Sequence, residues 1–312
     1  MNRDALVAHA RDSIARGSKS FAVASQLFGR KTRERAWLLY AWCRACDDIA
    51  DGQEHGGALA PVTDPERLLA DMRAKTQIAL TGEETGDPAF DGLGVVAAET
   101  GLPHRFAYDL LDGFALDADG WRPCTTEDLM RYCYHVAGAV GCMMAVVMGV
   151  APDDDPVLDR ACDLGLAFQL ANIARDVRED AEAGRCYIPA DWLAEERVSA
   201  ETMLLPENRA KLAAIGSGLA DLAHRYEDSA RHGTPALSFR SAWAVLAAAG
   251  IYGDIAREVK RRGEAAWDAR VITSKMAKLG WVARAAMQSA NRSSRWPADE
   301  PRDPNLWRRP SA

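Results

Sequence analysis

The stretch Gln169-Leu170-Ala171-Asn172-Ile173-Ala174-Arg175-Asp176-Val177-Arg178-Glu179-Asp180 sets four oxygen-bearing side chains, those of Gln169, Asn172, Asp176 and Asp180, at intervals of three, four and four residues. At ~100° per residue they share an arc of about 80° on a helix, and the apolar run Leu164 to Phe168 leads into them. A second segment repeats the device. Tyr40-Ala41-Trp42-Cys43-Arg44-Ala45-Cys46-Asp47-Asp48-Ile49-Ala50-Asp51 puts Tyr40, Arg44, Asp47 and Asp51 within an arc of about 60°, with Asp48 at its rim. Outward from these two segments, nearly every long stretch shows the helical period with strong helix formers. Alternating β-branched runs between turn signals are absent. The predicted fold class is all-α.

Helices are predicted over about 3–16, 18–27, 31–51, 64–81, 89–100, 103–117, 126–149, 155–181, 189–194, 208–232, 236–262 and 273–290. Breaks fall at Gly52 to Pro61, Gly82 to Pro88, Gly120 to Pro123, Pro152 to Pro156 and Gly233 to Pro235. One helical domain is expected over 1–290. Residues 291–312, rich in proline and poor in apolar side chains apart from Leu306 and Trp307, are expected as a surface or disordered tail.

Taken singly, aspartates at a helix end read as solvated surface charge. Two such clusters, each grown from an apolar helix and each with an arginine beside the carboxylates, point instead to hard oxygen ligands on facing helices. That donor set suits magnesium, which takes one or two carboxylates together with water and phosphate oxygens. Arg44 and Arg175 can offer forked hydrogen bonds to phosphate.

Composition narrows the function classes. The 312 residues carry 38 Lys+Arg against 45 Asp+Glu, a net charge of −7, which argues against a general nucleic-acid binder. An acidic protein that binds an anionic diphosphate must recruit cations. Seven scattered cysteines make no secreted disulfide framework, and Cys43-x-x-Cys46 has no second pair to complete a zinc site. The N-terminus lacks the layout of a signal peptide, so a cytoplasmic location is expected. Val136 to Ala151, interrupted by Gly138, Gly141 and Gly149, falls short of the roughly 20 residues that span a bilayer and reads as a buried core helix.

With those residues in view, the chain resembles the squalene and phytoene synthase family. Besides the two aspartate segments, the similarity runs through Gly17-Ser18-Lys19-Ser20-Phe21, Tyr132-Cys133-Tyr134-His135-Val136-Ala137-Gly138-Ala139-Val140-Gly141 and Gly184-Arg185-Cys186-Tyr187-Ile188-Pro189. Leu158 to Val177, Arg240 to Val245 and Leu306 to Pro310 are most similar to the bacterial phytoene synthases of that family. The resemblance implies an isoprenoid-synthase helical fold with a deep central cavity. It also implies about three magnesium ions, replaceable by manganese, and no NADPH.

The implied reaction joins two geranylgeranyl diphosphates head to head, through prephytoene diphosphate, to phytoene, the first committed step of carotenoid synthesis. By the same resemblance Asp47, Asp51, Asn172, Asp176 and Asp180 stand at metal-ligand positions. Ser18, Lys19, Ser20, Phe21, Arg44 and Arg175 stand at substrate positions. Tyr40, Tyr132, Gln169 and Tyr252 lie close to the reacting carbons or diphosphate, and Arg270, Lys275 and Lys278 serve the second diphosphate. Tyr40, Asp47, Asp51, Tyr132 and Asp176 are the catalytic set. Some relatives have histidine where this chain has Gly17, so no role of that histidine transfers.

The metal motifs alone leave open squalene or dehydrosqualene synthesis from farnesyl diphosphate, and a non-catalytic helical scaffold is the alternative of another class. A lipid-soluble substrate and product are compatible with peripheral contact with the inner membrane and with downstream carotenoid enzymes as partners. His135 reads as a general base or a core histidine, and Met143, Met144 and Met148 as core or cavity wall. Gly138 and Gly141 let either a polyprenyl chain or a neighbouring helix approach closely.

Overall fold

The computed structural model describes residues 1–52 and 63–310, without the side chains of Lys19 and Ser20. No strand occurs among the described residues. The first part comprises α1 (Arg3–Gly17), α2 (Lys19–Ala24), α3 (Arg30–Asp51), α4 (Pro65–Leu80), α5 (Pro88–Thr100), α6 (Arg105–Ala118), α7 (Thr126–Cys133) and α8 (Ala139–Val147). The second comprises α9 (Asp155–Glu182), α10 (Ala190–Glu195), α11 (Arg209–Arg231), α12 (Phe239–Arg262), α13 (Lys275–Ala290) and α14 (Arg292–Arg295).

Helix starts follow local chemistry. Asp64 and Asp87 accept from backbone amides of the first turn and precede Pro65 and Pro88, whose missing N–H is no loss at that position. Thr125 and Asp128 form a reciprocal capping box at the start of α7. Gly52 and Gly101 end α3 and α5 with φ of 61° and 67°, a left-handed conformation that glycine adopts without penalty. Ser238 caps α12, so that helix begins later than its periodicity suggests, after a 3₁₀ turn at Thr234–Ala236.

The long α9 lies at the centre, packed on α8, α11 and α12, while α3 packs on α1 and α5 across the molecule. Trp42, Tyr134, Tyr226, Phe90 and Phe106 are fully enclosed in the core between them. Each large apolar side chain so buried contributes about 1.5–3 kcal/mol. Gly141 and Gly165 set how close α8 and α9 approach. A Cβ on Gly141 would lie 2.4 Å from the Ala161 carbonyl oxygen, and one on Gly165 2.3 Å from that of Ala137. Helix packing therefore explains Gly141 directly, and at Gly138 a Cβ would meet Cys162 Sγ at 2.9 Å.

Two expectations gain detail. The helix read over about 126–149 runs over Thr126–Val147 and contains a π turn at Tyr134–Gly138, between α7 and α8, beside this close approach to α9. The tail is not a loose appendage over its described part. Leu306 joins the core at 4% exposure, Arg302 forms an ion pair with the enclosed Asp163, and the Trp307 amide donates to Tyr226 Oη at 2.9 Å. Arg309 pairs with Asp155 and Asp159 on the first turns of α9. Cationic side chains and one buried leucine dock a segment whose composition alone reads as solvated. Its last residues, 311–312, lie outside the described residues.

Candidate active site

Between α3 and α9 opens a cavity of about 1380 Å³. It exceeds the roughly 300–1,000 Å³ of an ordinary small-ligand pocket and is large enough for two long chains. At one end α3 contributes Arg44, Asp47 and Asp51 to its wall, and α9 contributes Asn172, Asp176 and Asp180. The helical phase read from the sequence therefore holds on both elements, and the two polar faces line one space. Away from the carboxylates the wall turns apolar, with Phe21, Leu39, Val140, Met144, Met148 and Ala248 among its residues.

Three further polar residues complete the acidic end. Arg185, in the loop after α9, donates to Asp51 Oδ1 at 2.5 Å and so ties that loop to α3. Asp117, near the end of α6, accepts from Tyr132 Oη at 3.0 and 3.1 Å and from Tyr187 Oη at 2.9 Å. The two phenol rings stack at 4.8 Å between centroids.

Crowded, half-buried carboxylates shift their titration. Burial, opposed by Arg44 and reinforced by Asp51 and Asp48, pushes Asp47 up to about 6. Burial and the neighbouring Asp176, opposed by Arg185, push Asp180 up to about 7. Burial likewise raises Asp117. This end of the wall thus crowds Asp47, Asp51, Asp117, Asp176 and Asp180 together, and its donors are hard oxygens. This donor set fits a divalent cation of the magnesium type. Tyr40 Oη and Arg44 Nε, at the same end, are buried without an aligned hydrogen-bond partner among the described residues.

The family model for squalene/phytoene synthase matches residues 14–277, which include both carboxylate faces. The chain belongs to that family. Its similarity to the 15-cis-phytoene synthase of Pantoea ananas is 46% identity over 312 residues, covering 99% of this chain and 100% of the relative. The enzyme of the same name from Paracoccus sp. (strain N81106 / MBIC 01143) is 43% identical over 305 residues, covering 98% of each chain. Among solved structures, a dehydrosqualene synthase in complex with ligand superposes with a TM-score of 0.82 at 26% identity, covering 93% of this chain and 98% of that one. The isoprenoid-synthase fold read from the sequence is the fold observed.

Of the residues singled out from the sequence, this member of the squalene/phytoene synthase family places Ser18, Phe21, Tyr40, Arg44, Asp47, Asp51, Tyr132, Gln169, Asn172, Asp176, Asp180 and Tyr252 on the cavity wall. Lys275 and Lys278 line it as well. Arg175 and Arg270 are not on that wall. Arg175 folds back on its neighbour, Nε lying 2.7 Å from Asp176 Oδ1, and Arg270 Nη2 lies 2.9 Å from the same oxygen. Both grip the Asp176 carboxylate, Arg175 from within the structure and Arg270 from the exposed side. The side chains of Lys19 and Ser20 lie outside the described residues.

Sequence reasoning missed Asp117, Arg185 and Tyr187 as site residues. The last two stood within a family-like motif without an assigned role, and Asp117 carries no pattern of its own. His135 is not a cavity residue; its Nδ1 lies 2.8 Å from the Asp109 carbonyl oxygen. It groups with Asp109 and Asp112, but those acids are engaged by Tyr134 and Arg73.

Gly17 has a steric reason. A Cβ there would stand 2.5 Å from Tyr40 Oη, so any side chain requires Tyr40 to move.

Proposed function

We propose that this chain joins two geranylgeranyl diphosphates head to head, through prephytoene diphosphate, to phytoene. The observation that carries the reading is the convergence of two carboxylate faces on one end of a long apolar cavity, in a chain 46% identical over its length to a 15-cis-phytoene synthase. Asp47, Asp51, Asn172, Asp176 and Asp180 would hold about three magnesium ions, for which manganese can substitute. When bound, the metal supplies positive charge to the diphosphate as its bond to carbon breaks.

The chain's own residues do the rest. Arg44, on the cavity wall beside Asp47, can bind phosphate oxygen. Arg175 and Arg270 hold the Asp176 carboxylate in place. Ser18, Lys19 and Ser20, at the start of α2, would close over the diphosphate, and Lys275 and Lys278 bring cations to the wall for the second one. Phe21 and Tyr40 lie with ring centroids 5.6 Å apart. Together with Tyr132, Gln169 and Tyr252 they offer aromatic faces and one amide to passing positive charge, while the apolar wall excludes water that would trap it. The acceptor double bond attacks the allylic cation and loss of a proton closes a cyclopropane. A second ionisation opens that ring, and a final proton loss leaves the central double bond. No reductant enters this balance, so no NADPH is required.

A cytoplasmic location fits this reaction, and its lipid-soluble substrate and product are compatible with peripheral contact with the inner membrane and with downstream carotenoid enzymes as partners. The test is incubation of the purified protein with magnesium and C15 or C20 diphosphates, each with and without NADPH, followed by identification of the hydrocarbon. Phytoene from the C20 substrate without NADPH is expected. Preference for the C15 substrate, with squalene formed only when NADPH is present, would overturn the proposal.

A further inference from the structure

Helix α13 covers one side of the cavity and shows an unusual outer face. Its inner side packs through Ala285 and Ser289, and Trp243 Nε1 of α12 donates to the Val282 carbonyl at 2.7 Å. Its outer side exposes Met276 at 76%, Leu279 at 62% and Met287 at 66%. Gly280, Ala283 and Ala290 are exposed beside them. At ~100° per residue these six positions span an arc of about 100°, and no charged side chain falls within it. The solvent side of an ordinary surface helix is polar. Just ahead of the helix Ile272 is 74% exposed, and Val23 of α2 is 73% exposed.

Two observations say what covers this face. The first is charge. Residues 270–295 contain Arg270, Lys275, Lys278, Arg284, Arg292 and Arg295 and no Asp or Glu, in a chain whose net charge is −7. The second is continuity: Leu279 and Val23 belong both to the exposed surface and to the cavity wall. An apolar surface with cations on its flanks, opening into an apolar cavity, complements a bilayer bearing anionic headgroups. A second copy meeting the same face about a two-fold axis would set cations against cations.

We infer that the outer face of α13, with Ile272 and Val23, docks on an anionic lipid surface and brings the cavity mouth to the acyl chains. The passage of hydrocarbon through that mouth rests on the proposed function; the docking does not.

The experiment is co-sedimentation of the full chain with phosphatidylcholine vesicles, with and without phosphatidylglycerol. Binding to the anionic vesicles is expected, weakened by salt and by omission of phosphatidylglycerol. The double substitution Met276→Glu/Met287→Glu, at exposed positions off the cavity wall, should lower that binding by about tenfold or more. Its melting temperature, and its turnover of detergent-dispersed substrate, should not change. The inference is overturned if the unsubstituted protein binds neither vesicle, if it binds neutral vesicles equally well, or if the double variant binds undiminished. It is equally overturned if the same variant dissolves a stable dimer in solution. Vesicle binding by a protein that forms no phytoene would sink the proposed function and leave the docking standing; phytoene formation without vesicle binding would do the reverse.

Discussion

Two aspartates on the single helix α9 meet opposite surroundings. Asp163 is fully enclosed, yet its oxygens accept from Arg302 Nη2 at 2.6 Å, Arg302 Nε at 2.9 Å and Ser229 Oγ at 2.5 Å. That Ser229 hydroxyl also accepts from Arg160. Further along the helix Asp180 faces the cavity, and no hydrogen bond or ion pair reaches its carboxylate among the described residues. Burial raises both groups. At Asp163 the arginine and the serine pull the shift back, whereas at Asp180 the nearby Asp176 adds to it. A carboxylate with its full complement of partners holds the fold together; one left short on a cavity wall, beside a like charge, waits for a cation.

Breaking each side of this contrast should give effects of different kind. Arg302→Ala strands the enclosed Asp163 charge and frees the C-terminal segment. A stability loss of about 3–5 kcal/mol is expected, read as a lowered denaturation midpoint, while activity per folded molecule at low temperature changes little. Asp47→Ala, Asp51→Ala and Asp176→Ala should behave the other way, each losing about 100-fold or more in turnover, roughly 2.7 kcal/mol of barrier, with an unchanged midpoint. Asp48, off the cavity wall, should cost less when replaced by Ala. Equal turnover in all four variants at saturating magnesium would remove the distinction between carboxylates that hold the fold and carboxylates that line the cavity.

A smaller effect sharpens the same contrast through pH. Asp47 at about 6 and Asp180 at about 7 lie above the ordinary value of 3.8. For an acid raised by folding, the stability it contributes is complete below its unfolded pKa and is lost as pH rises through the folded one. The metal-free protein should therefore melt at progressively lower temperature from about pH 5 to about pH 8, and magnesium should restore more stability at the upper end, where it displaces fewer protons. Scanning calorimetry with chelator or magnesium reads both trends. In Asp180→Asn the metal-free slope should flatten; a slope identical to that of the unsubstituted protein would assign the titration elsewhere.

The legible part of this molecule is what helical phase encodes. Spacings of three and four put Asp47 with Asp51 and Asn172 with Asp176 and Asp180 on shared faces, and the structure keeps those faces. What remained hidden depends on distance along the chain or on local detail. Arg302 and Asp163 are 139 residues apart, so no window of sequence shows that the tail is docked. Asp117 gains its place only when α6 brings it against Tyr132 and Tyr187. Arg175 was expected in the cavity, yet the carboxylate next to it in the chain takes up its guanidinium. The π turn arises between α7 and α8, where the apolar pattern continues without a break.

The smallest expected effect tests why a glycine stands at position 17. Tyr40 lies on the polar face of α3 with its ring 5.9 Å from the Arg44 guanidinium carbon, and its hydroxyl occupies the space that a side chain at 17 would need. Gly17 is the last residue of α1, where alanine would gain up to about 1 kcal/mol of helix propensity, so Gly17→Ala should not harm stability. The added methyl must instead push Tyr40 away from its place at the cavity wall, and turnover should fall by about threefold to tenfold. Tyr40→Phe removes the atom that the methyl meets, and the next ring atom would stand at 3.6 Å, an ordinary contact. Gly17→Ala should therefore cost almost nothing further in the Tyr40→Phe background. A double-mutant cycle on kcat/KM measures this directly, with coupling of about 1 kcal/mol expected for the pair. Strict additivity would show that Gly17 acts through the path of the chain between α1 and α2, and that the acidic end tolerates displacement of the tyrosine.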